Sequence, residues 1–351
     1  MKIISITQTK EKIRLKVPFV TALREVHFAE FIRVKVVLED GSFAYGEAPA
    51  TEAITGENLE SISKALKQLA SVLLCKDLDE ALHFVHAYTC GSSAKAALDM
   101  AIVMLMAKQK GKNLKEYFCI DKSEAIETDI TISLGSCDQM LYDAKNAIVQ
   151  NMKILKIKLG SDIDHAIAVT KNFSQQLPEA KLLIDANQSW TTEQTLDYLH
   201  AVKGCSIELL EQPLPAKEID NLAIITQKST LAILADEAVF TLADAKYVVE
   251  KKAADMINIK LMKCGGVTKA IEILEYAKAE GISCMLGSMI EGPYSINITI
   301  YLAFAYRDVV KFVDLDSPLL YEKLPDALDF IYKGSEIHFK HQPVSQQNAA
   351  K

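Results

Sequence analysis

Lys156 and Lys158 stand at alternate positions of the apolar run Ile154 to Gly160. On a strand, alternate side chains point the same way, so two ammonium groups would share one face. Neighbouring ammonium groups each make the other's protonation costlier and so depress its pKa. A lysine brought toward neutrality can take a proton from carbon. A solvent-facing edge strand with a polar stripe would show the same pattern. On these residues alone the two readings stand level.

Other apolar runs end in acids: Asp185 in IleAspAlaAsnGln, Glu211 in LeuGluGlnPro and Asp236 in AlaAspGlu. Any one of them reads equally well as a helix N-cap or a surface charge. Three in succession, grouped at neighbouring strand ends, would repel one another strongly with nothing between them. A hard, oxygen-preferring divalent cation resolves that repulsion, and Mg²⁺ suits few carboxylates with positions left for substrate. Lys260 closes the run MetIleAsnIle, while Lys263, three residues on and before CysGlyGly, is expected to face solvent. Asp314 and Asp316 alternate in AspLeuAspSerPro at 314–318. Two carboxylates together without a metal call for another cation, and a substrate ammonium is the natural one. A capping pair in the last loop is the competing reading.

The elements that must position these groups follow a βα rhythm from about residue 125. Strand patterns recur at 126–133, 153–159, 181–185, 206–210, 231–235, 255–260, 282–287 and 310–314, with amphipathic helical segments between them. Such alternation predicts βαβ units and a parallel sheet. Eight units in some 190 residues fit a (β/α)8-type barrel, altered after its eighth strand to (β/α)7β. Chemistry in such barrels sits at the C-terminal ends of the strands. Lysines on the second and sixth strands would then flank a substrate from opposite sides. Residues 1–120 carry three strand patterns and then helices at roughly 57–73, 78–88 and 92–110, an α+β capping domain. The barrel takes 121–320, and 321–351 is expected to pack back on the capping domain and complete it.

Composition excludes several classes. The chain has 351 residues, half of them hydrophobic and a quarter charged, as an ordinary globular protein has. A net charge of -7 and a pI near 5.6 argue against a nucleic-acid surface. No apolar stretch reaches the roughly 20 residues of a membrane span. The N-terminus lacks the apolar core of a signal peptide. Seven scattered cysteines without CxxC pairing fit reduced thiols, and the expected compartment is the cytoplasm. Association with further copies of the same chain stays open.

Taken together, the LysXLys strand, the Asp/Glu/Asp set and the lysine on the sixth strand resemble the enolase superfamily, in its muconate-lactonising subgroup. AlaAlaLeuAspMetAlaIle and GlyLysAsnLeu resemble the helix joining cap to barrel, and GlyGluAlaProAla a capping-domain segment. The Asp-X-Asp of the eighth strand resembles that of the dipeptide epimerases. ThrGlyGlu at 55–57 and IleLysLeuMetLysCysGlyGly at 259–266 are similar to them too. Arg24 lies in a loop, after the second strand pattern, that resembles the mobile loop closing over substrate. One departure is GlySerMetIleGluGlyProTyr at 287–294, where a bulkier or more polar residue is expected than Gly292-Pro293.

The resemblance implies epimerisation at the α-carbon of the C-terminal residue of a dipeptide, with L-Ala-D/L-Glu favoured, in the service of murein-peptide recycling. It implies Mg²⁺ on Asp185, Glu211 and Asp236, acting as a Lewis acid on an ene-diolate, the mechanism known for the superfamily. Lys158 and Lys260 would be the two acid/base groups. Lys156 would lower the pKa of Lys158 and add charge beside the substrate carboxylate. Asp314 and Asp316 would hold the α-ammonium, and Arg24 would pair with an acidic side chain. Glu237 would orient a ligand or Lys260, with Asn187 supporting the same set. The alternatives are o-succinylbenzoate synthase or N-acylamino acid racemase on the same scaffold and, more remotely, a non-catalytic binding protein.

Overall fold

Along the strand Glu25–Leu38, Ile32, Val34, Val36 and Leu38 are buried, while Arg33, Lys35 and Val37 between them are only half-buried. That period of two gives one face to a core and one to solvent. The strand is central in an antiparallel sheet between Ile3–Val20 and Phe43–Pro49. The first two strand patterns of the sequence are thus one long strand, with irregular pairing near Ile3 and between Arg14 and Phe19. Against the sheet packs Leu59–Leu73, which buries Ile62, Leu66, Leu69 and Leu73 along one helical stripe. Each such leucine contributes about 1.5–3 kcal/mol by leaving water. The structure, a computed structural model, describes residues 1–340.

The helix Ser92–Gln109 is buried nearly all round, because it belongs to two cores. Leu98, Ile102 and Leu105 face the capping sheet, while Met100 and Val103 face the barrel helices. Gly46 permits this approach: a Cβ there would lie 1.8 Å from the Ala97 carbonyl oxygen.

Eight parallel strands follow: Ile130–Ile132, Ile154–Lys158, Lys181–Asp185, Ile207–Glu211, Ala232–Ala235, Met256–Lys260, Ser283–Gly287 and Val310–Asp314. The Asp129 amide donates to the Val313 carbonyl at 3.1 Å, bringing the eighth strand to the first. Helices of nine to fourteen residues follow the first seven strands, but only Ser317–Leu320 follows the eighth, which gives (β/α)7β. The first strand is shorter than its sequence pattern. Ile126–Glu127 leaves the barrel to pair with Glu336–Phe339, and only Ile130–Ile132 stays in it.

The C-terminal hairpin, Phe330–Lys333 with Glu336–Phe339, stacks Phe330 and Phe339 on Tyr301 and Phe304 of the barrel helix Pro293–Ala305. Segment 321–351 therefore differs from its expected place. Its described part meets the capping sheet near Tyr321, bridged to Leu15, and at the Glu322 amide, which donates to the Arg14 carbonyl. The rest of that segment, 341–351, lies outside the described residues. No helix among the described residues is long and apolar enough to cross a membrane.

Candidate active site

Strand alternation stacks the barrel interior in layers. Ile154, Leu183, Leu209, Leu234, Met256 and Met285 form an apolar floor. Two residues further along each strand come Lys156, Asp185, Glu211, Asp236, Asn258, Gly287 and Asp314. Lys158 and Lys260 rise one step higher. The intervening residues, such as Ile157, Ile184, Leu210 and Ile259, belong to the core that packs against the helices. One period-two pattern thus places both the core and the charges.

The charges are buried and paired. Lys158 Nζ contacts Asp185 Oδ2 at 2.5 Å, and Lys260 Nζ contacts Asp236 Oδ2 at 2.7 Å. Lys156, fully buried, reaches Asp314 Oδ2 at 2.6 Å, Glu211 Oε2 at 2.7 Å and Asp185 Oδ2 at 3.4 Å. Burial alone would push the Lys156 ammonium down, but these carboxylates outweigh it and hold it well above the ordinary range. Lys156 was expected to act on Lys158 and beside the substrate carboxylate. Instead its charge serves three acids beneath the cavity, whose walls include Lys158 and Lys260 but not Lys156.

Lys263 is the clearest correction. Expected to face solvent, it is 2 % exposed. Its ammonium donates to Asp236 Oδ1 at 2.6 Å, to the Asn258 carbonyl at 2.9 Å and to the Asp236 carbonyl. The short helix Leu261–Cys264 turns it back into the barrel, where a loop would have let it leave.

Not every acid is balanced. Glu211 Oε1 accepts from Asn258 Nδ2 at 2.7 Å, while its Oε2 accepts no aligned hydrogen bond. Glu237 Oε1 lies 3.4 Å from Asn187 Nδ2, and its Oε2 and Asn187 Oδ1 are buried without partners. Burial, reinforced by Asp185, pushes Glu211 up to about 7. Burial, reinforced by Asp236 and Asp185, pushes Glu237 up to about 8. Burial opposes Asp236 too, but Lys260 and Lys263 hold it far below the carboxylate range. Oxygen-only donors, buried and partly unpartnered, fit a hard divalent cation. Asp185, Glu211 and Asp236 pass that test by donor chemistry, with the unpartnered oxygens of Glu237 and Asn187 beside them.

Asp129, which joins the Asp314 and Asp316 pair, was missed by the sequence reading. Among the described residues, the one set of three acids with oxygens all within 4.8 Å of one another is Asp129, Asp314 and Asp316. Asp316 Oδ2 accepts from the Thr131 amide at 2.7 Å, and burial with the Asp314 charge pushes it up to about 6. Asp129 is buried with neither oxygen partnered, and burial raises it well above its usual range. The ThrAspIleThr alternation at 128–131 was the available signal, hidden because the strand was read as starting earlier. Asp314 also differs from its expected isolation, since Lys156 ties it to Glu211.

The cavity is closed from above by the first hairpin. Arg24 lies in its turn, and so after the first strand rather than the second. The Val20 amide donates to Ser133 Oγ at 3.1 Å, and the Leu134 amide to the Val20 carbonyl at 3.0 Å, docking the hairpin on the barrel mouth. Arg24 shares the cavity with Lys158, Lys260, Asn187, Glu237, Asp314 and Asp316, and forms no ion pair among the described residues. Apolar walls come from Phe19, Leu23, Ile54, Met289 and Ile290.

Gly292-Pro293 lies away from this lining and has a structural reason. A Cβ on Gly292 would meet the Glu47 carboxylate at 2.5 Å. Glu47, paired to Arg33 at 2.8 Å, accepts from the Tyr294 and Ser295 amides and so caps a barrel helix from the capping sheet. Glu57 of ThrGlyGlu acts likewise, accepting from the Ser93 amide at 2.8 Å.

A parallel barrel with acids and lysines on successive strand ends, under an α+β cap, defines the class. Residues 3–118 match the N-terminal domain of mandelate racemase / muconate lactonizing enzyme, and residues 139–343 match the enolase C-terminal domain-like family. The chain belongs to the enolase superfamily. An L-amino acid-D/L-Glu epimerase from Sulfurimonas denitrificans is 52% identical over 96% of this chain and 99% of its own. The L-Ala-D/L-Glu epimerase of Bacillus subtilis is 37% identical over 98% of this chain and 96% of its own. A substrate-liganded structure of that enzyme superposes with a TM-score of 0.91, 36% identity and 97% coverage of both chains. A dipeptide epimerase from Enterococcus faecalis V583, complexed with Mg and L-Leu-L-Tyr, gives 0.89 at 29% identity, covering 97% of this chain and 98% of that one.

Proposed function

We propose that this protein epimerises dipeptides, inverting the α-carbon of the C-terminal residue, with L-Ala-D/L-Glu as favoured substrate. The observation that carries this is Lys158 and Lys260 lining one cavity from the second and sixth strands, with Asp314 and Asp316 in the same wall. One lysine, as the free amine, takes the α-proton. The electron pair left on carbon delocalises into the adjoining carboxylate. The opposite lysine, as the ammonium, returns a proton to the other face, and the configuration inverts. Asp314 and Asp316 hold the substrate ammonium, and Arg24 meets an acidic side chain. Asp185, Glu211 and Asp236 hold Mg²⁺, which supplies positive charge against the substrate carboxylate as negative charge builds there. Asn187 and Glu237 stand beside that set and orient it.

Relatives named as epimerases at up to 52% identity over nearly whole chains support this reading. The o-succinylbenzoate synthase alternative needs one base and no ammonium site, which leaves Lys260 or Lys158 and the Asp pair without work. Seven unpaired thiols fit a reducing cytoplasm. The test is a dipeptide library incubated in deuterium oxide and read by mass spectrometry. Deuterium at the α-carbon of the second residue, strongest for Ala-Glu, is the expected result. Exchange on N-acylamino acids but on no dipeptide would replace the reading with a racemase.

A further inference from the structure

Asp236 is held by two lysines at once, and they differ in what else holds them. Lys260 reaches Oδ2 at 2.7 Å, has no other hydrogen-bond partner among the described residues, and lines the cavity. Lys263 reaches Oδ1 at 2.6 Å but also donates to the carbonyls of Asp236 and Asn258. The Asn258 carbonyl belongs to a barrel strand, the Asp236 carbonyl also accepts from the Val239 amide at 3.0 Å, and the left-handed Gly265 (φ 94°) ends the helix that carries Lys263. Lys260 can therefore swing away toward a substrate, whereas the buried Lys263 would have to abandon three acceptors. Oδ2 is the oxygen that can be released and Oδ1 the one that stays occupied.

We infer that Lys263 is a positioning residue that restricts Asp236 to a single metal-facing oxygen and thereby biases the site toward Mg²⁺ over Ca²⁺. The inference rests on the reading that Asp185, Glu211 and Asp236 hold the metal. Mg²⁺ demands near-octahedral geometry, while Ca²⁺ takes more oxygens and accepts a carboxylate through both of them. A carboxylate with one oxygen blocked suits the first and handicaps the second. Removing the Lys263 charge alone would help both divalent ions alike, so the ratio of their affinities isolates the geometric effect.

The experiment titrates Mg²⁺ and Ca²⁺ by calorimetry into chelator-stripped wild type, Lys263→Met and Asp185→Asn. Partners that orient metal ligands typically change affinity 10- to 100-fold when lost, so the preference for Mg²⁺ over Ca²⁺ should fall about tenfold or more in Lys263→Met. An unchanged ratio overturns the inference and leaves the metal reading intact. No metal uptake by wild type, or uptake by Asp185→Asn equal to wild type, overturns both. Should Lys263→Met show no cooperative melt, a crystal structure of wild type with Ca²⁺ decides the question. One Asp236 oxygen on the ion, with Lys263 on the other, supports the inference, and both oxygens on the ion refute it.

Discussion

Gly287 leaves room for Lys260: a Cβ at that position would lie 2.9 Å from Lys260 Cε and 2.7 Å from Asn258 Oδ1. The two residues are register partners on adjacent parallel strands, so the contact is built into the sheet. Both neighbours matter, since Asn258 also donates to Glu211. Gly287→Ala should therefore displace Lys260 without removing any reacting group. A misplacement of about 1 Å typically costs about 10²-fold, and kcat should fall by that order. Rates of α-proton exchange from the two epimers check it. The exchange that depends on Lys260 should suffer more than the one that depends on Lys158.

The two lysines should serve opposite faces. Lys158→Ala is expected to abolish solvent exchange of the L-Glu α-proton while largely sparing that of D-Glu, and Lys260→Ala the reverse. General acid–base groups contribute ~10²–10⁴-fold, so both variants should be almost inactive in net epimerisation. Exchange followed by proton NMR on each pure epimer is the measurement. Equal, small losses in both directions would refute the assignment.

Metal removal should abolish activity. EDTA-treated protein is expected to be inactive and to recover with Mg²⁺, and Asp236→Asn should raise the Mg²⁺ concentration needed for half recovery. The buried acids grouped at the strand ends, with Glu237 Oε2 unpartnered beside them, motivate this. Full turnover by exhaustively chelated protein would rule it out.

Asp314 and Asp316 should read a free ammonium. N-acetylation of Ala-Glu removes the positive charge and leaves buried carboxylates without that partner. Losing one side of such a pair typically costs about 2–5 kcal/mol, or roughly 30-fold and upward in kcat/KM. If acetylated and free dipeptides turned over equally well, an N-acylamino acid racemase would be the better description.

Arg24 should set preference for the second residue. Arg24→Ala is expected to lower kcat/KM for Ala-Glu much more than for an uncharged Ala-X dipeptide. Because Arg24 sits in a hairpin turn at the cavity's edge, the loss should be smaller than that from the aspartates and should shrink as salt rises. A uniform loss across dipeptides would mean that Arg24 only shapes the hairpin.

The sequence by itself determined the barrel and the vertical order of its charges. Strand residues alternate, and parallel strands align their C-terminal ends, so Lys156, Lys158, Asp185, Glu211, Asp236, Lys260 and Asp314 were legible from spacing and from the apolar runs before them. Which charge meets which was decided only by tertiary structure. Lys156 serves Asp314 across a separation of 158 residues, Lys263 folds back onto Asp236, and Asp129, just before the first strand, joins Asp316 just after the eighth. Even Gly292, which looked like a pocket residue, answers to Glu47 in another domain. Local pattern fixes the face a side chain takes, because that depends on backbone period alone. Its partner depends on how the eight strands close around one another and how the cap sits on them, and no window of sequence contains that distance.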